Sequence, residues 1–507
     1  MTAVLALDQG TTGSTALVIA ADGRLLGKGY REFPQHFPEP GEVEHDAEDI
    51  FRATLAAGRE ALQQAKVTPR AVGITNQRET VCVWERATGR PLHRAIVWQD
   101  RRTARRCEQL IRQRKAPLIR RRTGLVIDPY FSASKIEWLL EHAPGVAARV
   151  RKGEAVFGTI DTWLLFRLTN GAAFATDPTN ASRTMLYDIN RHRWDDDLLS
   201  LFGVPRAALP EVRPSSGQFG VAAAEHLGTE LPILGIAGDQ QAALFGQGCW
   251  RAGQAKNTYG TGAFMLLNTG TKRVESRHGL LTTVACGPRG ERTYALEGSV
   301  FIAGAAIQWL RDGLQLITKA AETEQLARDV ADTGGVFFVP AFVGLGAPHW
   351  EAEARGTIVG VTRGTQRAHL ARAALEAMAY STKDVLDAMT SDARLALDAL
   401  QVDGGAAAND WLMQFQADLL GVTVARPDLV ETTALGAAGL AGLAAGVWKE
   451  PGEFLAGRRF TRFAPGKGKA AVQAGAAEWR RAVDAALHWA TAKGRKKTSR
   501  SRSTSNK

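Results

Sequence analysis

Gly235-Ile-Ala-Gly-Asp-Gln-Gln-Ala-Ala-Leu-Phe-Gly246, near the middle of the chain, changes periodicity part-way along. Ile233 to Ile236 is a short apolar run that reads as a buried strand ending at Gly238. From Gln240 the pattern is helical, with Ala243, Leu244 and Gln247 at helical spacing. Asp239 therefore stands where a strand passes into a helix, the end of an open α/β sheet at which ligands gather. On this stretch alone two readings stay open. A carboxylate there can accept the proton of a substrate hydroxyl. Equally, Asp is a favoured helix N-cap.

Upstream, Val4-Leu-Ala-Leu7 reads as a strand, Asp8-Gln-Gly-Thr-Thr-Gly-Ser-Thr15 as a tight polar turn, and Ala16 to Ala20 as the returning strand. A hairpin tip rich in glycine and hydroxyls offers backbone N–H groups and side chains to a phosphate. Asp8, at the strand end, is placed to hold a magnesium ion through water, since hard cations prefer carboxylate oxygens. Downstream, Lys256-Asn-Thr-Tyr-Gly-Thr-Gly-Ala-Phe264 repeats that logic. Two such hairpins, one in each half, imply a duplicated fold closing on a nucleotide. No Gly-x-x-x-x-Gly-Lys-[Ser/Thr] occurs, which excludes the usual P-loop.

The remaining segments are less decisive singly. Ala47 to Gln64 reads as an amphipathic helix and Val72-Gly-Ile-Thr75 as a strand. Arg78 and Glu79 can meet one ligand only if that strand has ended by about Gln77, because adjacent strand residues face opposite ways. A surface ion pair is the local alternative. Trp98 and Tyr130 read as core aromatics or as walls against the C–H face of a small polyol. The polar links 157–163 and 176–182 carry no chemistry of their own. Ala303 to Leu310 reads as helix with Gly304 and Gln308 on one face. Val402-Asp-Gly-Gly-Ala-Ala-Ala-Asn409 reads as a strand-end turn whose Gly404 and Gly405 admit a nucleoside.

At 507 residues the chain exceeds one hydrophobic core. Seven of its Lys and Arg residues fall in 493–507, which leaves +4 of the +11 formal charge on the rest, so no dedicated nucleic-acid partner is expected. Four scattered cysteines form no zinc or disulfide pattern and fit a reducing, cytoplasmic setting. The Ala/Gly-rich run 432–448 is short for a membrane span, and no membrane insertion is expected. The division expected is 1–248, 249–490 and a disordered basic tail over 491–507.

Taken together, DQGTT (8–12), GITNQRET (73–80), IVWQ (96–99), GLVIDPYFSASK (124–135), GIAGDQQAALFGQ (235–247), KNTYGTGAF (256–264), LEGSVF (296–301) and DGGAAAN (403–409) resemble the FGGY carbohydrate kinases, in their glycerol-kinase branch. The resemblance runs from Asp8 to about Trp448. It implies an α/β, two-domain actin-like (ribonuclease H-like) ATPase fold with a ligand cleft between the domains, transfer of the ATP γ-phosphate to glycerol, and a homo-oligomer, dimer or tetramer. By the same resemblance Arg78, Glu79, Tyr130, Asp239 and Gln240 would bond the glycerol hydroxyls, and Trp98 and Phe264 would pack on its carbons. Asp239 would be the general base and, with Asp8, would hold Mg2+. Thr11, Thr12 and Gly13 would form the first phosphate loop, Thr261 and Gly262 the second. Gly304, Gln308, Gly405 and Asn409 would lie on the adenosine side.

Two departures from that family pattern stand out. Where the family often has Ser and then Arg in the first loop, this chain has Gly13 and Thr15. Where members inhibited by fructose 1,6-bisphosphate have a basic residue, Glu230 follows Gly228-Thr229, which argues against that control. The competing readings are an FGGY kinase for another polyol or sugar and a non-catalytic binding protein of the same fold.

Overall fold

A computed structural model describes residues 1–466 and 469–502. Two mixed sheets with the same internal strand order form its framework. In the first half, β1 (Ala3–Gln9), β2 (Gly13–Ala20), β3 (Leu25–Glu32), β4 (Val72–Asn76), β5 (Ser216–Ala222) and β6 (Leu231–Gly238) run in the order β5-β6-β4-β1-β2-β3. The second half has β7 (Ala255–Tyr259), β8 (Ala263–Gly270), β9 (Leu281–Cys286), β10 (Arg292–Val300), β11 (Ala399–Asp403), β12 (Thr423–Pro427) and β13 (Phe460–Phe463). Their order is β9-β10-β8-β7-β11-β12-β13. Within each sheet a three-stranded antiparallel meander, β3-β2-β1 or β10-β8-β7, continues into two parallel strands, β4-β6 or β11-β12. The two glycine-threonine turns are the β1–β2 and β7–β8 hairpin tips, in equivalent places.

Helices cover both faces of each sheet, as strands with apolar residues on both faces require. On the first sheet, Leu5, Leu7, Ala16 and Val18 pack under α1 (Ala47–Ala65), which Asp46 caps through its carboxylate. The opposite residues Val4, Ala6, Leu17 and Ile19 pack under α6 (Thr432–Ala444), which follows β12 of the second half. Reciprocally, Leu244 of α2 (Asp239–Gly246), which follows β6, packs on Leu266, Ala285 and Ala295 of the second sheet. The helix that leaves each half is thus a layer against the other or between the two, so the sheets share one waist. On the far side of the second sheet lies α4 (Arg367–Ala393). At the end of α6 the Trp448 ring lies against Gly442, and Gly446, beyond it, has left-handed φ.

At the waist α2 and α6 touch backbone to backbone through Gly246 and Gly436. A Cβ on Gly436 would stand 1.8 Å from the Ala242 carbonyl oxygen, and one on Gly246 2.0 Å from that of Thr432. Gly436→Val is therefore expected to force the helices apart and to cost about 3 kcal/mol or more. A thermal midpoint equal to that of the unchanged protein would show that the crossing has slack.

The last helix, α7 (Lys469–Arg502), enters the stretch expected to be a disordered tail. Its inner turns are held by Ala476, Trp479, Ala482, Val483, Ala486 and Ala490, a helical stripe in the second core. Residues 503–507 lie outside the described residues. No helix among the described residues is long and apolar enough to cross a membrane.

Candidate active site

Asp239 is the first residue of α2, and Gly238, with extended φ and ψ, takes the N-cap position. The capping alternative for Asp239 thus fails. Its Oδ1 instead accepts from the Gln240 N–H at 2.7 Å and lies 3.2 Å from Arg78 Nε. The junction is held from the side: Gly238 N–H donates to Thr179 Oγ1 at 2.8 Å, and Asp177 caps the short helix Pro178–Ala181 that carries Thr179. The polar link read as having no chemistry therefore positions the central carboxylate. Burial raises the Asp239 carboxyl, against the pull of Arg78 and of the Gln240 N–H.

Arg78 and Glu79 are not a surface pair. Strand β4 ends at Asn76, and Glu79 has φ of +62°, a conformation costly for a side chain of its size. That turn brings both side chains to one buried centre. Arg78 forms a bidentate pair with Glu297 of β10, Nη1 to Oε2 at 2.7 Å and Nη2 to Oε1 at 3.0 Å. Arg183 donates to Glu297 Oε1 at 2.9 Å and to Glu79 Oε1 at 2.6 Å. Four alternating charges, from both halves of the chain, thus close a network on the floor of the site. Although burial opposes it, Arg183 and Arg78 draw the Glu297 carboxyl down to about 2. Tyr130 OH accepts from Arg78 Nη2 at 3.4 Å, and the Arg183 guanidinium lies over the Tyr130 ring.

Half-buried rings stand above this floor. Trp98 meets Tyr130 edge-on at 5.5 Å and Phe264 at 6.4 Å between ring centroids. Tyr130 also packs against the core that holds Phe131 and Ile136. Trp98 Nε1 also donates to Thr11 Oγ1 at 3.0 Å, tying the wall to the first hairpin turn. Gln240 accepts from the Lys256 ammonium of β7, which burial pulls down to about 8 while Asp403 and Asp239 oppose the shift.

Asp8 ends the same β1 face as Val4 and Ala6. Its carboxyl is pushed up to about 8, by burial first and then by Asp239 and Glu431. A carboxylate whose ionisation is opposed by burial and by a neighbouring carboxylate suits a divalent cation, and a pair rather than a cage suits Mg2+, which keeps several waters. Among the described residues no group of three or more His, Cys, Asp or Glu could hold a metal ion.

Around the second turn, Thr261 is exposed and Gly262 buried. Gly304 opens α3 (Gly304–Gln308), and its N–H donates to the Gly260 carbonyl at 3.0 Å. Gln308 is exposed at the far end. Gly404, expected to admit a nucleoside, is needed for the fold: a Cβ there would stand 2.3 Å from the Tyr259 carbonyl oxygen. Gly405 faces open space, and Asn409 caps α5 (Asp410–Leu420) through the Leu412 N–H at 2.9 Å. Gly304 and Gly404 so flank the second turn. Glu297, Arg183 and Lys256 escaped the sequence reading, although Glu297 and Lys256 lie inside motifs quoted above.

Comparison with known proteins places this geometry. The N-terminal domain of the FGGY family of carbohydrate kinases matches residues 3–246, and the C-terminal domain matches 255–445. A glycerol kinase of Dechloromonas aromatica is 56% identical over 493 residues, 96% of this chain and 98% of that one. The crystal structure of Plasmodium falciparum glycerol kinase with ADP superposes with a TM-score of 0.90 at 37% identity, covering 96% of this chain and 98% of that one. A xylulose kinase of Lactobacillus acidophilus, 20% identical, shares the fold with a TM-score of 0.85 over 97% and 98% of the two chains. The duplicated sheets are those of the actin-like ATPase fold expected from the sequence, and the chain belongs to the FGGY family of carbohydrate kinases.

Proposed function

We propose that the protein is a glycerol kinase, which transfers the γ-phosphate of ATP to a terminal hydroxyl of glycerol and yields sn-glycerol 3-phosphate and ADP. The observation that carries the reading is the buried Arg78–Glu79–Arg183–Glu297 network in contact with Asp239, with Tyr130, Trp98 and Phe264 beside it and the first hairpin turn tied in through Thr11. The high identity to glycerol kinases, against only fold-level likeness to the xylulose kinase, favours glycerol over a larger sugar.

Glycerol is small and polar, so selection for it rests on several fixed hydrogen bonds over an apolar wall. In this reading Arg78, Gln240 and Tyr130 donate to the hydroxyls, Glu79 and Asp239 accept, and Trp98 and Phe264 cover the carbons. The attacking oxygen forms its bond to the γ-phosphorus as the bond to the ADP oxygen breaks, and its proton passes to Asp239 Oδ. Backbone N–H groups and hydroxyls of the turns Thr11–Gly13 and Thr261–Gly262 hold the phosphates on either side. Asp8 and Asp239 would hold Mg2+, whose charge would offset the negative charge that develops on the phosphates. Gly304, Gln308, Gly405 and Asn409 bound the adenosine side. Four buried free thiols suit the reducing cytoplasm.

The test is ADP release by the purified protein with magnesium-ATP and glycerol, dihydroxyacetone, erythritol, xylulose or gluconate. Turnover strongest with glycerol is expected. Preference for a larger acceptor would keep the fold and the Asp239 chemistry and reject the reading of the wall. No turnover with any of them would leave a binding protein.

A further inference from the structure

Gly13 opens β2 beside the first hairpin turn, on the same sheet face as Thr15. A Cβ at Gly13 would meet the Tyr30 hydroxyl at 2.8 Å and the Tyr30 ring at 2.9 Å. The space that a side chain at position 13 would fill thus holds the phenol of Tyr30. Register explains how it gets there. Asp8 pairs with Thr15 across β1–β2, and Thr15 pairs with Tyr30 across β2–β3. Directly opposed residues share a face, so Asp8, Thr15 and Tyr30 form one row. Val4 and Ala6 of β1 and Leu17 and Ile19 of β2 mark that face as the one turned to α6 and the cleft. Two residues before Tyr30, Lys28 pairs with Glu431, the carboxylate that also bears on Asp8.

The phenol is held loosely, by Glu32 and by the Thr12 side chain. Tyr30 is 45% exposed, and its hydroxyl reaches Glu32 Oε1 only at 3.3 Å. A hydroxyl held firmly by a carboxylate sits at about 2.5–2.7 Å. Burial and then the Glu32 carboxylate push its ionisation to higher pH, so it remains a donor at neutral pH. With Gly13 and Thr15 the turn has neither a side chain at 13 nor a cation at 15, and Tyr30 leans over both positions.

We propose that the Tyr30 hydroxyl donates a hydrogen bond to the terminal phosphate of ATP at the first hairpin turn, supplying from β3 the contact that residues 13 and 15 of this chain do not make. The proposal rests on the kinase reading above, and its test separates the two. ATP, ADP and AMP binding to the unchanged protein and to Tyr30→Phe is measured by calorimetry without acceptor, alongside glycerol binding and the melting midpoint of the ligand-free protein. A hydrogen bond to a charged acceptor is worth a roughly tenfold or greater change. The expected result is ATP affinity about tenfold weaker in Tyr30→Phe, ADP affected less, and AMP, glycerol and the ligand-free midpoint unchanged. Unchanged ATP affinity overturns the proposal. So does an equal loss for all three nucleotides or a lowered ligand-free midpoint, since the hydroxyl would then act by holding the strand through Glu32. Failure of the unchanged protein to bind any nucleotide overturns the kinase reading itself, and this proposal with it.

Discussion

Asp239→Asn is expected to lower turnover about 10³-fold while glycerol still binds. The amide keeps the shape of the carboxylate and can still accept from the Gln240 N–H, so the start of α2 is preserved. It lacks the basicity to take the proton of the attacking hydroxyl. Arg78 loses one partner but retains the bidentate Glu297 pair and the nearby Glu79 carboxylate, so the floor stays charge-compensated. Turnover and glycerol binding, measured separately by ADP release and calorimetry, distinguish loss of the base from loss of the pocket. The pH profile adds a second check. Burial raises the Asp239 carboxyl, and the base must be ionised, so activity should fall as pH drops through a value above the ordinary 3.8. That acid limb should vanish from the residual activity of the variant. Undiminished turnover would remove Asp239 from the role of base.

Much of this site is legible in the chain because its parts are local. The hairpin tips announce themselves by glycine and threonine between apolar strands, and Asp239 by the switch from strand to helix period at Gly238. What escapes is what depends on distant partners or on backbone strain. No residue type signals that Glu79 turns through positive φ, yet only that turn makes a buried centre out of what reads as a surface pair. Glu297 sits in mid-strand, 219 residues from Arg78 and 114 from Arg183, so its role depends on how the two sheets meet. Gly404 carries a requirement that the sequence does not show, since the Tyr259 backbone behind it leaves no room for a Cβ. The run 432–448 is visible as Ala/Gly-rich, but the seat of its helix on the first sheet shows only in the packing, with the close approach at Gly246 and Gly436.

Replacing Glu297 by Gln is expected to cost about 3–5 kcal/mol of stability, because it strands two guanidiniums in a fully buried place. Arg78 and Arg183 are 1% and 0% exposed in their side chains, and Glu297 is the one carboxylate that both contact within hydrogen-bond distance. With it gone, Glu79 must serve both, and Asp239 would be drawn further onto Arg78. The pH dependence carries a sign that a packing defect would not. In the folded protein the two arginines hold the Glu297 carboxyl at about 2, below its ordinary 4.5. A depressed carboxyl contributes stability that is present above the unfolded value and is lost as pH falls through the folded one. The gap between the unchanged protein and Glu297→Gln should therefore be full near neutrality and close between about 4.5 and about 2. Denaturant midpoints across that range read it directly, and a gap that persists at the acid end would assign the loss to shape instead of charge. The same variant should weaken glycerol binding, since Arg78 and Glu79 are aimed by partners and not by packing. An apolar floor would be as stable or more so, but it would present nothing to a triol. On the glycerol-kinase reading proposed above, with each cation shared between carboxylates, the donors and acceptors left over would be held at fixed angles toward the substrate.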